Sequence, residues 1–265
     1  LYICLSNASF SKEKKKTIVI LSPGVFNSAY FEHAYLAQQM GIDLVESSDL
    51  SLSKDNFVYM KTINGRKKVD VIYRRINDNF LDPNVWEKGS ILGVSGIINS
   101  WKEKKIAIVN APGSGVADDK AVYAFVPKMI EFYLGEKSKL NQVKTYLCAF
   151  EKDMQYVLSN INKLVLKPVN ESGGYGILIG PNATKKELVE YKLKIRSNPR
   201  NFVAQPLIKL STSPTLIKTK IEPRHIDLRP FILSGNKTFV TNGGLTRVAL
   251  KKGSTIVNSS PGWWK

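Results

Sequence analysis

Cysteine and histidine are scarce in this chain, with two of each among 265 residues. Cys4 and Cys148 lie far apart, and neither sits in a Cys-x-x-Cys pair or has a histidine at metal-ligand spacing. This argues against a disulfide framework and against a zinc site, and fits a reducing, cytoplasmic setting. No run of about 18 apolar residues occurs, so no membrane-crossing helix is expected. The opening LYICLSNASF is too short and lacks the basic start of a signal peptide. The chain begins at Leu1 rather than at a methionine and stops at Lys265 inside a motif-like run, so it is read as an excerpt of a longer protein. Acidic residues are also few: 22 Asp and Glu face 39 Lys and Arg, a net charge of +17. That balance favours anionic partners such as nucleotides, acidic substrates or nucleic acid. The lysine runs at 12–16, 102–105 and 185–194 have no interleaved aromatics, which favours a solvated surface over a nucleic-acid patch.

What is present is ordinary globular composition, 43% hydrophobic and 23% charged, with length for one large domain or two smaller ones. The first part alternates strand and helix. The spacing predicts strands at 17–21, 42–45 and 106–110 and helices at 28–40 and 91–104. Asn64-Gly65 predicts a hairpin between strands at 57–61 and 69–73. A helix starting at Asp118-Asp119 is expected to run to about Leu134, kinked or split by Pro127. The polar stretch 135–142 reads as a linker, giving domains 1–134 and 135–265. The second part is dominated by short strands, with one helix at 185–196 capped by Thr184. The expected class is a parallel α/β sheet followed by α+β subdomains with antiparallel sheets.

The richest segment is LVLKPVNESGGYGILIG, residues 164–180. Strand alternation places Leu164, Leu166 and Pro168 on one face and Val165 and Lys167 on the other. A lysine facing inward at a strand end calls for an anion; the plainer reading is an edge lysine reaching to solvent. The following turn contains Glu171, Gly173, Gly174 and Gly176. Its glycines permit close backbone approach to a phosphate, and a long hairpin is the alternative. It lies between strands, which separates it from the helix-opening phosphate loops; GxGxxG and GK[ST] are both absent. Gln205, Pro206 and Leu207 end a short apolar strand that could present backbone edges to a purine. Asp227 and Arg229 share a strand face, and Arg224, Arg229 and Arg247 could grip phosphate or carboxylate oxygens; a structural Asp–Arg pair is the alternative. A general base at His225 is the weaker reading there. Asn27 and Ser28, after the first strand, and Arg74 and Arg75, at the end of another, are candidates for a substrate pocket.

Taken in order, these pieces resemble the ATP-grasp superfamily, and most closely the circularly permuted type 2 ATP-grasp proteins of bacteria, distant relatives of glutathionylspermidine synthetase. The resemblance rests on SAYFEHAYLAQQMGIDLVE, VDVIYRRINDNFLDP, GVADDKAVYAFVPKMI, LKPVNESGGYG and RHIDLRPF, and spans roughly residues 17–260. It implies an ATP-dependent carboxylate–amine ligase that forms an amide or peptide bond through an acyl-phosphate. Lys120 and Lys167 would hold ATP phosphates, the glycine turn would cover them, and Gln205–Leu207 would form the adenine hinge. Arg229 and Arg247, with Asp227, would act on the transferred phosphoryl group. The family binds magnesium through an acidic residue and a nearby Glu-x-Asn, which in the permuted order precede the region present here. No such pattern occurs in this chain, so the Mg2+ ligands are expected outside it and no metal ligand is assigned within it. The ending NSSPGWWK also departs from the family's glycine-rich Ser-Lys-Asp stretch. Two other readings stand beside this one: a catalytically incomplete nucleotide-binding module and a basic nucleic-acid-binding protein.

Overall fold

The computed structural model describes residues 1–170, 176–254 and 257. It contains two compact units: Leu1–Gly115 with Ile232–Val240, and Val116–Phe231 with the described residues from Thr241 onward.

In the first unit, helix α1 (Tyr2–Asn7) precedes strand β1 (Ile18–Leu21), helix α2 (Tyr30–Met40) and strand β2 (Asp43–Val45). Strands β3 (Leu50–Leu52), β4 (Val58–Thr62), β5 (Gly65–Lys68) and β6 (Val71–Arg74) follow, then α3 (Asp78–Leu81), α4 (Ile97–Lys102) and β7 (Ala107–Val109). A four-stranded parallel sheet has the order β2-β1-β6-β7. Strand β1 is buried along its whole length, as its unbroken apolar run requires of a central parallel strand. Val19, Leu21, Ile72 and Ile108 face one core, while Ile18, Val71 and Ala107 face another with Leu5. The chain leaves β1 toward β2 on one side and β6 toward β7 on the other. The switch point therefore lies between β1 and β6, and ligands of open α/β sheets bind beyond the carboxyl ends of such strands.

The hairpin at Asn64-Gly65 forms, but its return strand is β5, with Thr62 opposite Gly65. The run at 69–73 belongs instead to the parallel sheet. The physical reason is burial: every residue of β5 is exposed, whereas Val71 and Ile72 are fully buried. Gly96, at φ +83°, delays the helix expected from 91 until Ile97.

The second unit opens with α5 (Lys120–Tyr123) and α6 (Val126–Leu134). The expected single helix is split, and Pro127 occupies the first turn of the second piece, where its missing N–H costs nothing. These helices belong with the strands that follow, so the division falls at 115/116 rather than at 134/135. The Lys120 N–H donates to the Val169 carbonyl at 3.0 Å, and Ala121 and Ala124 pack on buried Leu147, Val169 and Val203. Strand β8 (Tyr146–Leu147), helix α7 (Glu151–Ser159), strands β9 (Leu164–Pro168) and β10 (Leu178–Ile179), helix α8 (Lys185–Ser197) and strand β11 (Phe202–Pro206) complete an antiparallel sheet of order β10-β9-β11-β8. Helices α7 and α8 cover one face, with Val157, Tyr191 and Ile195 against Leu164, Leu166, Phe202 and Ala204. Burying each such side chain contributes about 1.5–3 kcal/mol. A third sheet joins β12 (Thr212–Ile217), β13 (Lys220–Ser234) and β14 (Thr238–Val248). Its last strand runs unbroken from Thr238 to Val248. The architecture is the mixed parallel α/β and antiparallel α+β class expected from the sequence.

Candidate functional site

The side of the β9–β11 sheet opposite α7 and α8 carries the lysine. Leu166 and Pro168 point into the helix-covered core, which directs Val165 and Lys167 the other way. Register places Lys167 opposite Val203 and Val165 opposite Gln205, so Lys167 and Gln205 are diagonal neighbours on one face. The Lys167 ammonium donates to Gln205 Oε1 at 2.7 Å. Gln205 Nε2 donates to Thr145 Oγ1 at 2.8 Å, and that hydroxyl donates to the Val143 carbonyl at 3.0 Å. Burial holds the Lys167 ammonium below the usual lysine range, and the neighbouring Lys120 cation pushes it the same way. Lys120 opens α5, its Nζ 3.5 Å from the Val169 carbonyl. Asp119 caps that helix through the Ala121 N–H and pairs with Arg200 at 2.8 Å. The result is two ammonium groups on one face, of which the half-buried Lys167 rests on a neutral amide oxygen.

Gln205, which with Pro206 and Leu207 is expected to form an adenine hinge, has its side chain on Lys167. Pro206 ends β11 opposite Leu164, and Leu207 beyond it is exposed. Gly176 adopts φ +66°, a side chain there would meet Pro168 Cγ at 2.9 Å, and its carbonyl accepts the Tyr191 hydroxyl. Glycine is thus required at this end of the turn. Glu171, Gly173 and Gly174 lie outside the described residues.

In the third sheet, Asp227 is an anchor. Its Oδ1 accepts the Arg247 backbone N–H at 3.0 Å, and its Oδ2 takes Arg229 Nε at 3.0 Å and Arg247 Nη2 at 3.1 Å. One carboxylate thus orients two guanidinium groups and leaves the trio net positive. His225 Nδ1 lies 3.0 Å from the Leu210 carbonyl.

In the first unit, Arg74, a substrate-pocket candidate, anchors a loop. Its side chain is only 8% exposed and pairs with Asp78 at 2.6 Å. It also donates to the carbonyls of Asn110 at 2.6 Å, Ile76 at 3.0 Å and Ala111 at 3.1 Å. Asp78 in turn accepts the Gly113 N–H at 3.1 Å. Arg75 pairs with Glu32 and donates to the Tyr73 hydroxyl. Asn27 and Ser28 are exposed, and Asn27 Oδ1 accepts the Ala29 N–H at the start of α2. Beneath this loop, buried Ser22 accepts the Gly24 N–H and lies 3.0 Å from His33 Nδ1. Burial, then Arg75, lowers the His33 pKa.

The sequence reading missed Thr145 as the third member of the lysine network and Arg74 as a loop anchor. Both roles depend on partners distant in sequence, Gln205 being 60 residues from Thr145 and Asn110 being 36 from Arg74.

A parallel α/β unit, followed by an antiparallel sheet that carries paired lysines, defines the class of protein. The sequence profile of the circularly permuted ATP-grasp type 2 family matches residues 1–249, and the chain belongs to that family. An uncharacterised protein of Synechocystis is 52% identical over 246 residues, covering 92% of this chain and 51% of its own length. One from Mycobacterium tuberculosis is 51% identical over 259 residues, 97% of this chain and 47% of its own. The chain therefore spans about half the length of these relatives. Among solved structures, the ATP-grasp ligase PsnB with a minimal precursor aligns at 12% identity and a TM-score of 0.46, over 89% of this chain and 77% of that one.

Proposed function

We propose that this chain is the nucleotide-binding portion of an ATP-dependent carboxylate–amine ligase. The observation that carries the reading is the half-buried Lys167 ammonium beside Lys120, held among the described residues by the Gln205 amide oxygen. A desolvated cation next to a second cation is electrostatically unfavourable by itself and gains most from a polyanion. The site thus suits the phosphates of ATP: Lys120 and Lys167 would hold them, and the segment containing Glu171, Gly173, Gly174 and Gly176 would cover them. Leu207 and the strand end at Pro206 would border the base. When bound, ATP would supply the phosphoryl group that activates a carboxylate as an acyl-phosphate; an amine would then attack the acyl carbon and displace inorganic phosphate. Asp227 would hold Arg229 and Arg247 in place for the charge that develops in that transfer.

Substrate contacts in this reading are Asn27, Ser28 and Arg75, beyond the carboxyl ends of β1 and β6. The described residues contain no group of three or more His, Cys, Asp or Glu side chains able to hold a metal ion. In this reading the Mg2+ ligands belong to the part of the protein outside this chain, and no step runs through the ion. Among the described residues no helix is long and apolar enough to cross a membrane. A cytoplasmic setting goes with the same reading.

The test is ATP-dependent phosphate release by the full-length protein in the presence of candidate carboxylates and amines. Release that requires both substrates supports a ligase. ATP binding without turnover leaves a nucleotide-binding module, and retention of nucleic acid at about physiological salt without ATP binding returns the basic-surface alternative.

A further inference from the structure

The network around Lys167 has a direction, and the direction begins at Thr145. The Val143 carbonyl can only accept, so the single hydroxyl proton of Thr145 points to it at 3.0 Å. Thr145 Oγ1 must then act as acceptor toward Gln205, at 2.8 Å from Nε2. With its NH2 end held there, the Gln205 amide presents its oxygen to Lys167, at 2.7 Å. Rotated by half a turn, the same amide would point N–H groups at an ammonium, donor against donor. The Val143 N–H itself donates to the Tyr123 hydroxyl at 3.2 Å, which ties the start of the relay to α5, the helix that carries Lys120.

We propose that Thr145 is a positioning residue for the Lys167 ammonium: by fixing the orientation of the Gln205 amide, it holds this lysine in place with a neutral acceptor, leaving its full charge for an anionic ligand. The inference rests on the nucleotide-binding reading for the identity of that ligand, but the relay itself is a property of the free protein. A carboxylate at position 205 would also hold the lysine, yet would cancel the charge a phosphate needs. The amide holds without cancelling. Among the described residues, the charged neighbour whose field reaches Lys167 is Lys120, which acts against its protonation.

The experiment follows the Lys167 Cε resonance of 13C-lysine-labelled protein through a pH titration, with ATP affinity measured on the same samples. In Thr145→Val the amide loses its orienting acceptor. The Lys167 titration should move further down, and ATP should bind about tenfold more weakly, as loss of one charge-assisted hydrogen bond implies. Thr145→Ser, which keeps the hydroxyl, should restore both. Gln205→Glu should move the titration up while weakening ATP binding, a divergence that a purely structural role does not produce. Should Thr145→Val fold poorly, Gln205→Met removes the acceptor directly and should reproduce its titration shift. A Lys167 titration unchanged in Thr145→Val and Gln205→Met overturns the relay, whether or not ATP binds. A titration that responds as described in a protein that ATP does not bind upholds the relay and rejects the nucleotide reading instead.

Discussion

The two units handle buried positive charge in opposite ways. In the first, Arg74 is enclosed by the Asp78 carboxylate and three backbone carbonyls, and Arg75 is matched by Glu32. In the second, Lys167 is half-buried against an amide oxygen with another lysine close by. An arginine saturated by its own protein stabilises the fold. A lysine held by a neutral group keeps its charge available, and this difference separates scaffold from binding surface more clearly than the overall charge of +17 does.

Substitutions can break that contrast. The largest expected effect is at the lysine: Lys167→Met should weaken ATP binding about a hundredfold by calorimetry while leaving denaturant stability unchanged or higher, since a desolvated cation is replaced by an apolar chain of similar length. Arg74→Met should do the reverse. It strands Asp78 and three carbonyls, and should cost about 3 kcal/mol in urea unfolding with little change in ATP affinity. A loss of affinity at Arg74 equal to that at Lys167 would erase the distinction.

A smaller effect concerns pH. The pKa of His33 is lowered by burial and by Arg75, against an opposing pull from Glu32. Below the ordinary value of 6.5 the unfolded chain takes up a proton that folded His33 refuses. Stability from this group is therefore present above 6.5 and lost as pH falls toward the folded pKa. Unfolding measured on either side of 6.5 should show this slope, and His33→Gln should flatten it. Smallest is the half-exposed pair: Glu32→Gln should change stability by less than about 1 kcal/mol, because solvent screens such partners.

The parts of this arrangement that sequence reveals are the local ones. The alternation in LVLKP shows which way Lys167 faces, because a strand with Leu164 and Leu166 buried leaves Lys167 no other side. The split at Pro127 and the cap at Thr184 were equally legible, each depending on neighbours within one turn. Helix α7 was not anticipated, although Glu151 and Asp153 in its first turn and Met154, Val157 and Leu158 on its inner side mark a helix against the core. The return strand of the hairpin was misplaced because the apolar run at 69–73 outweighed four exposed residues that form an edge. The identity of the partners lay beyond reach. Gln205 meets Lys167 across 38 residues, and Arg74 finds Ala111 across 37, distances that only strand pairing and loop closure resolve.

The most direct test of the central claim is ATP calorimetry on this chain, repeated from neutral pH upward. A phosphate-holding Lys167 must be protonated, and its pKa in the free protein lies below 10.5. Affinity should then be present at neutral pH, fall as pH rises through that lowered pKa, and in Lys167→Met be about a hundredfold weaker at neutral pH and no longer fall with pH. An affinity that is flat up to 10.5 and identical in Lys167→Met, or no binding at millimolar ATP, would contradict the account.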